Sequence, residues 1–238
     1  MIKKALEYIV GLGRPEIMEI GGDTYSERGL VRVCHNPKAE PLKMRTLTSL
    51  IDYIKAGVDE MPGRMVVHVE GPLKVSLFSQ LDDDRIREKL AVVEGEVPEF
   101  RYGRYMGQEE FVISMQSKFM ETGSRGLVLR FAGTVENGTV AEYGDDGCTQ
   151  KATVRKGIVS KEDMVVPNPV ALAPFRTFME VGQPVSLFIF RMRDDGDGGV
   201  ECAIFEADGG AWRHEAAGNI KEYLIRELEG LEGFTVIS

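Results

Sequence analysis

The stretch Met65-Val66-Val67-His68-Val69-Glu70, then Gly71-Pro72, then Leu73-Lys74-Val75-Ser76-Leu77-Phe78-Ser79 decides how the chain is read. Two apolar, alternating runs on either side of a Gly-Pro pair are two strands across a tight turn, and a turn that short forces antiparallel pairing. Alternation places Leu73, Val75 and Leu77 on one face and Lys74 and Ser76 on the other, and leaves His68, between Val67 and Val69, on the less buried face of its strand.

Upstream, Ile2, Ala5, Leu6, Ile9 and Val10 form one helical stripe that Gly11 and Gly13 stop. Gly21-Gly22 separates two short apolar runs between Ile17 and Val33, as in a small hairpin. Thr46 or Thr48 then caps a helix carrying Leu47, Leu50, Ile51, Ile54 and Val58, ended by Gly57. Downstream, Asp82-Asp83-Asp84 is placed to start a short helix, and Phe111, Met115 and Phe119 mark a helix beginning near Gln108. Leu127, Leu129 and Phe131 alternate, Asn137-Gly138 is a turn signal, and Thr153, Val154, Ile158 and Val159 extend a β-rich middle. Leu187-Phe188-Ile189-Phe190 reads as a buried strand, Cys202 to Phe205 as its partner, and Trp212, Ala216, Ile220, Tyr223, Leu224 and Leu228 as the stripe of a final helix.

Hairpins without a βαβ rhythm give an α+β fold, a mostly antiparallel sheet flanked by N-terminal, central and C-terminal helices. The 238 residues are read as a single domain. A division into a helical and hairpin part over 1–122 and a β-rich part with the last helix over 123–238 is the alternative. No apolar run approaches the ~18 residues of a membrane span. Met1-Ile2-Lys3-Lys4-Ala5-Leu6-Glu7 has an acidic residue where a leader needs apolar ones, so an unexported protein is expected.

The net charge of −9 opposes an extended nucleic-acid coat. Three cysteines at wide spacing, Cys34, Cys148 and Cys202, make no disulfide framework, and with His35, His68 and His214 they offer no metal-ligand spacing. No metal and no cofactor are therefore expected. There is no GxSxG and no Walker-type loop, and Cys34 beside His35 is not a dyad by adjacency.

Four stretches carry candidate chemistry. In Asp208-Gly209-Gly210-Ala211-Trp212-Arg213 an aspartate can cap a helix whose glycine-flanked N-terminus suits an anion; the plain alternative is a tight turn with Trp212 in the core. Pro174-Phe175-Arg176-Thr177-Phe178 with Gln183-Pro184, and Arg191 and Arg193 beyond, set guanidinium groups beside aromatic faces that stack a base. The plain alternative there is a rigid connector with Phe178 in the core and Arg176 paired to Glu180. Asp145-Asp146, Asp82-Asp83-Asp84 and Asp194-Asp195-Gly196-Asp197 are oxygen-rich, but Val200 stands where a calcium loop starting at Asp195 needs glycine, so they read as turns. Phe100-Arg101-Tyr102-Gly103-Arg104-Tyr105 interleaves aromatics and arginines among glutamates, which suits a small anionic ligand or a subunit contact better than a long phosphate chain.

The chain resembles the YfdQ-like group of phage and prophage proteins, a domain of unknown function. The likeness rests on Ala5 to Gly13, on Pro167-Asn168-Pro169-Val170 with Pro174 to Phe178, on Gln183-Pro184 and on Phe205-Glu206-Ala207-Asp208-Gly209-Gly210-Ala211-Trp212. The resemblance implies a viral early gene expressed in the host bacterial cytoplasm, and it carries no catalytic residue. The expectation is a non-enzymatic binding protein of host takeover or anti-defence, a homo-oligomer sequestering a small anionic, nucleotide-like ligand. Its candidate site comprises Arg176, Phe178, Arg191, Asp208, Gly209, Gly210, Trp212 and Arg213. The alternative is an accessory of phage recombination or replication that contacts single-stranded DNA or a protein; a metal-dependent hydrolase built on the aspartate clusters is more remote.

Overall fold

The structure, a computed structural model, describes residues 2–4, 6, 17–20, 23–26, 38–61, 63–82, 85–134, 144–145, 150–156, 160–197 and 199–238. The chain divides into two units, Met1–Ala39 and Glu40–Ser238. In the first, residues 2–4 and 6 are helical, and β1 (Ile17–Ile20) pairs antiparallel with β2 (Asp23–Ser26). The second unit holds everything that follows.

After β3 (Leu42–Met44) comes α1 (Leu47–Ala56). Thr46 Oγ1 accepts the Ser49 N–H at 3.2 Å and so satisfies one of the first-turn donors that a helix leaves free. Gly57, at φ +57°, closes the other end in the left-handed conformation that favours glycine. The hairpin follows as β4 (Met65–Gly71) and β5 (Lys74–Ser79), and β6 (Lys89–Glu94) pairs antiparallel with β5. The strand order is completed at the edges by β3 parallel to β6 and by β14 (Phe234–Ile237) parallel to β4. On this five-stranded sheet pack α1 and α4 (Trp212–Glu227), joining Leu47, Leu50, Ile51 and Ile54 to Val67, Val75, Leu77, Ala91, Val93, Ile220 and Leu224 in one core.

A second core lies under an antiparallel sheet in the order β11 (Val170–Leu172), β12 (Ser186–Asp194), β13 (Val200–Glu206), β7 (Met106–Gly107). Phe188, Phe190, Cys202 and Ile204 meet Phe111, Met115 and Phe119 of α2 (Gln108–Lys118) and its end, and Val128, Phe131 and Ala132 of α3 (Gly123–Thr134). Aromatic rings interlock there: Phe119 lies edge-on to Phe100 at 5.0 Å between centroids, and Phe131 edge-on to Phe190 at 5.9 Å. A further antiparallel set runs β8 (Gly144–Asp145), β9 (Gln150–Lys156), β10 (Ser160–Val166). Both cores draw on residues from either side of position 122. The fold is α+β, as its hairpins and unpatterned helices imply.

Several elements differ from the sequence reading. Residues 123–134 are helix, not sheet: Val128, Phe131 and Ala132, at i, i+3 and i+4, are the buried ones, and the alternation of Leu127, Leu129 and Phe131 is coincidental to it. Asp82 Oδ1 accepts the Ile86 N–H at 2.8 Å, residues 85–88 are not helical and lead into β6, and Asp83 and Asp84 lie outside the described residues. Leu187 is exposed and Ile189 half-buried, so β12 buries one face rather than both. Ser76 is fully buried because its hydroxyl donates to Glu70, which removes the cost of taking it out of water. Asn137-Gly138, Ile158 and Val159 lie outside the described residues, as do Gly21-Gly22.

Candidate functional site

The segment that follows β11 is fixed before it presents any side chain. Gln183 Oε1 accepts the backbone N–H groups of Arg176 and Thr177 at 2.9 and 3.1 Å, and its amide donates to the Phe178 carbonyl at 3.0 Å, so one side chain closes the loop on itself. Thr177 Oγ1 donates to the Pro72 carbonyl at 2.6 Å and ties the loop to the turn of the β4–β5 hairpin. Asn168 adds a similar clamp upstream, accepting from the Phe190 N–H at 2.8 Å and donating to its carbonyl at 3.1 Å. These bonds account for the Pro167-Asn168-Pro169 and Gln183-Pro184 blocks as backbone supports.

Arg176 emerges from this loop into the core side of the β12–β13 sheet. Register places Phe188 opposite Glu206, with Ser186 two residues before Phe188 on the same face. Arg176 Nη1 donates to Glu206 Oε1 at 2.9 Å, Nη2 donates to Ser186 Oγ, and the guanidinium carbon lies 4.1 Å from the Trp212 ring centroid and 5.5 Å from that of Phe188. Burial pulls the guanidinium below its ordinary value, against the opposing pull of Tyr102, Glu206 and Asp208. Tyr102 stacks on Phe188 at 5.6 Å, and burial pushes its hydroxyl up to about 12.

Across the turn that follows β13, Gly209 and Gly210 take φ of +62° and +82°. Asp208 Oδ1 accepts the Gly210 N–H at 3.0 Å. Burial would raise the Asp208 carboxyl, but hydrogen bonds from Ser186 and from the Gly210 and Trp212 backbone, with the Arg176 charge, hold it below its ordinary value. Asp208 thus supplies the anion that the start of α4 favours. Arg213, exposed, lies 4.8 Å over the Trp212 ring, and a Cβ at Gly210 would collide with its Nη1. Two donors in this cluster, Arg176 Nε and Trp212 Nε1, are buried with no acceptor. Such groups are rare because each forgoes the hydrogen bonds water would have given it.

Of the sequence candidates, Arg176, Asp208, Gly209, Gly210, Trp212 and Arg213 are therefore brought together. Phe178 and Arg191 are not. Phe178 is buried in the other core, its ring so close to Gly95 that a Cβ there would lie 2.8 Å from Cε1. Arg191 alternates with Phe190 and Met192 and takes the opposite face of the sheet. The pairing of Arg176 with Glu180 does not occur either: Glu180 Oε1 accepts the Thr48 N–H at 3.3 Å. Glu206, Ser186 and Gln183 are the partners that local reading did not assign to Arg176: Glu206 and Ser186 converge through sheet register, and Gln183 through the closure of the loop.

On the outer face of the same sheet a second aromatic and cationic group forms. The Arg193 guanidinium lies 3.9 Å over the Tyr105 ring while bonding Glu201 at 2.7 Å, and Tyr105 stands edge-on to Phe205 at 6.1 Å. The aspartates of the β12–β13 turn serve the turn itself: Asp195 Oδ1 accepts from the Asp197 and Gly199 N–H groups at 2.9 and 2.7 Å. Among the described residues no three His, Cys, Asp or Glu side chains converge as metal ligands. Cys202 is buried and its thiol is pushed up to about 12, so it stays a thiol in neutral solution. Cys34, His35 and Cys148 lie outside the described residues, and no helix among the described ones is long and apolar enough to cross a membrane.

Compared with known proteins, the chain is matched by no family model, by no curated protein and by no solved structure.

Proposed function

We propose that this is a non-enzymatic, homo-oligomeric binding protein that takes a nucleotide-like ligand at the Trp212 corner, in the phage setting that the YfdQ-like resemblance implies. The observation that carries the reading is the pair of buried donors without acceptors, Arg176 Nε and Trp212 Nε1, stacked at 4.1 Å beside the exposed Arg213. An acceptor-rich ligand satisfies both donors when Arg213 swings off the indole; the freed ring face stacks a base and Arg213 pairs with a phosphate. Glu206 and Asp208 balance Arg176, so Arg213 is the cation left for the ligand.

Trp212 is the one tryptophan of the chain, which makes its fluorescence a report on this corner alone. Titration with nucleoside mono-, di- and triphosphates and with cyclic dinucleotides is expected to quench it saturably, and Arg213→Ala to weaken the response at least tenfold. Unchanged emission with all of these nucleotides overturns the reading.

A second reading, contact with single-stranded DNA as an accessory of recombination or replication, is favoured by the half-buried Tyr105 and Phe205 and the exposed Arg193 on the outer face. Low-salt gel shifts with oligonucleotides that Tyr105→Ala abolishes, without Trp212 quenching, support it; no shift with any oligonucleotide rejects it.

A further inference from the structure

We infer that the cleft between α2 and the loop preceding β7 is a separate site for a small zwitterion, a free α-amino acid or a short peptide bearing both of its terminal charges. This cleft of about 360 Å³ is within the size range of small-molecule sites. Its walls carry two charges of each sign. Glu99 and Arg101, two residues apart, stand on the loop wall, and Glu110 and Lys118, eight residues apart on one stripe of α2, stand on the helix wall. Phe100 and Met106, both largely buried in the aromatic core, supply an apolar floor between them.

Some opposite charges on the surface form ion pairs, as Arg45 does with Glu96 at 3.3 Å and Arg193 with Glu201 at 2.7 Å. The four charges of the cleft line one space and none of them forms an ion pair or side-chain hydrogen bond with another. On α2, Glu110 in the first turn and Lys118 in the last are each stabilised by the helix dipole where they stand, and the eight-residue spacing sets their Cα atoms roughly 12 Å apart along the axis, with both side chains lining the same cleft. A ligand carrying an ammonium and a carboxylate supplies a counter-charge to both signs at once, whereas a simple anion or cation meets a like charge on each wall. This inference is independent of the Trp212 corner and stands or falls without it.

The test is isothermal titration of the full chain with each of the twenty free L-amino acids and with dialanine, against their N-acetyl and C-amide derivatives. Binding of at least one free zwitterion, weakened more than tenfold by blocking either charge, is expected. Glu110→Gln and Lys118→Met, at surface positions that leave the core residues of α2 in place, are each expected to weaken it at least tenfold with an unchanged circular-dichroism spectrum. Absence of binding by every free amino acid and by dialanine overturns the inference, and so does equal binding of the blocked derivatives, which would make the cleft a site for a single charge or an apolar side chain.

Discussion

The guanidinium of Arg176 stacks on the indole of Trp212 at 4.1 Å and joins the loop after β11 to the first turn of α4. The cation is almost wholly buried, yet its Glu206 partner keeps 34% of its side chain in water. Removing the arginine leaves that carboxylate, the Ser186 hydroxyl and the indole without their shared partner. Arg176→Ala is expected to cost about 3 kcal/mol, the low end for breaking a buried pair because Glu206 can rehydrate. Arg176→Lys recovers little of it, since an ammonium lacks the planar fork that reaches Glu206 and Ser186 while stacking. Urea unfolding of both variants reads the difference.

Phe178 and Gly95 make a complementary pair. Phe178→Ala empties a packed site and is expected to cost about 3–5 kcal/mol. Gly95→Ala drives a methyl into the Phe178 ring and costs about 1–3 kcal/mol. Neither change touches the Trp212 corner, so in thermal unfolding both lower the midpoint while nucleotide quenching of Trp212, measured on the folded variants, keeps its wild-type affinity.

Alkaline pH tests the burial of two tyrosines. Burial, and then the hydrogen bond of its hydroxyl to Asp59 at 2.7 Å, pushes Tyr53 up to about 12, and burial does the same for Tyr102. Both folded values lie above the ordinary 10.0, so the folded chain binds these protons more tightly than the unfolded chain does. Stability is therefore full below pH 10 and is lost as pH rises from about 10 to 12. Tyr53→Phe and Tyr102→Phe each remove part of that loss, which denaturant titrations at pH 9 and pH 11 resolve. Equal pH dependence in wild type and both variants would count against it.

Local signals made α1 legible, since Thr46, the apolar stripe and Gly57 all describe one helix, and the Gly71-Pro72 hairpin is read directly from its alternation. They failed at α3, where Gly123, Gly126 and Gly133 weaken helix propensity and packing of Val128 and Phe131 on the aromatic core decides instead. They also failed at β14, four residues whose place is set by parallel pairing with β4, far away in sequence. The site shows the same division. Asp208, Trp212 and Arg213 were legible as residue types at a strand-to-helix turn and Arg176 as an arginine among the aromatics of the Pro174 segment, while Phe178 and Arg191 are separated from them by burial and by strand alternation, which residue type does not encode.

Native mass spectrometry of the protein incubated with a nucleotide pool tests the central claim most directly, because it reads retained ligand and subunit number together. Wild type is expected to carry a small phosphorylated ligand in each subunit of a closed oligomer, and Trp212→Phe, which keeps the stack on Arg176 but lacks the indole N–H, to lose most of it. A ligand-free wild-type spectrum, or equal retention by Trp212→Phe and Arg213→Ala, would contradict the Trp212 corner as the binding site.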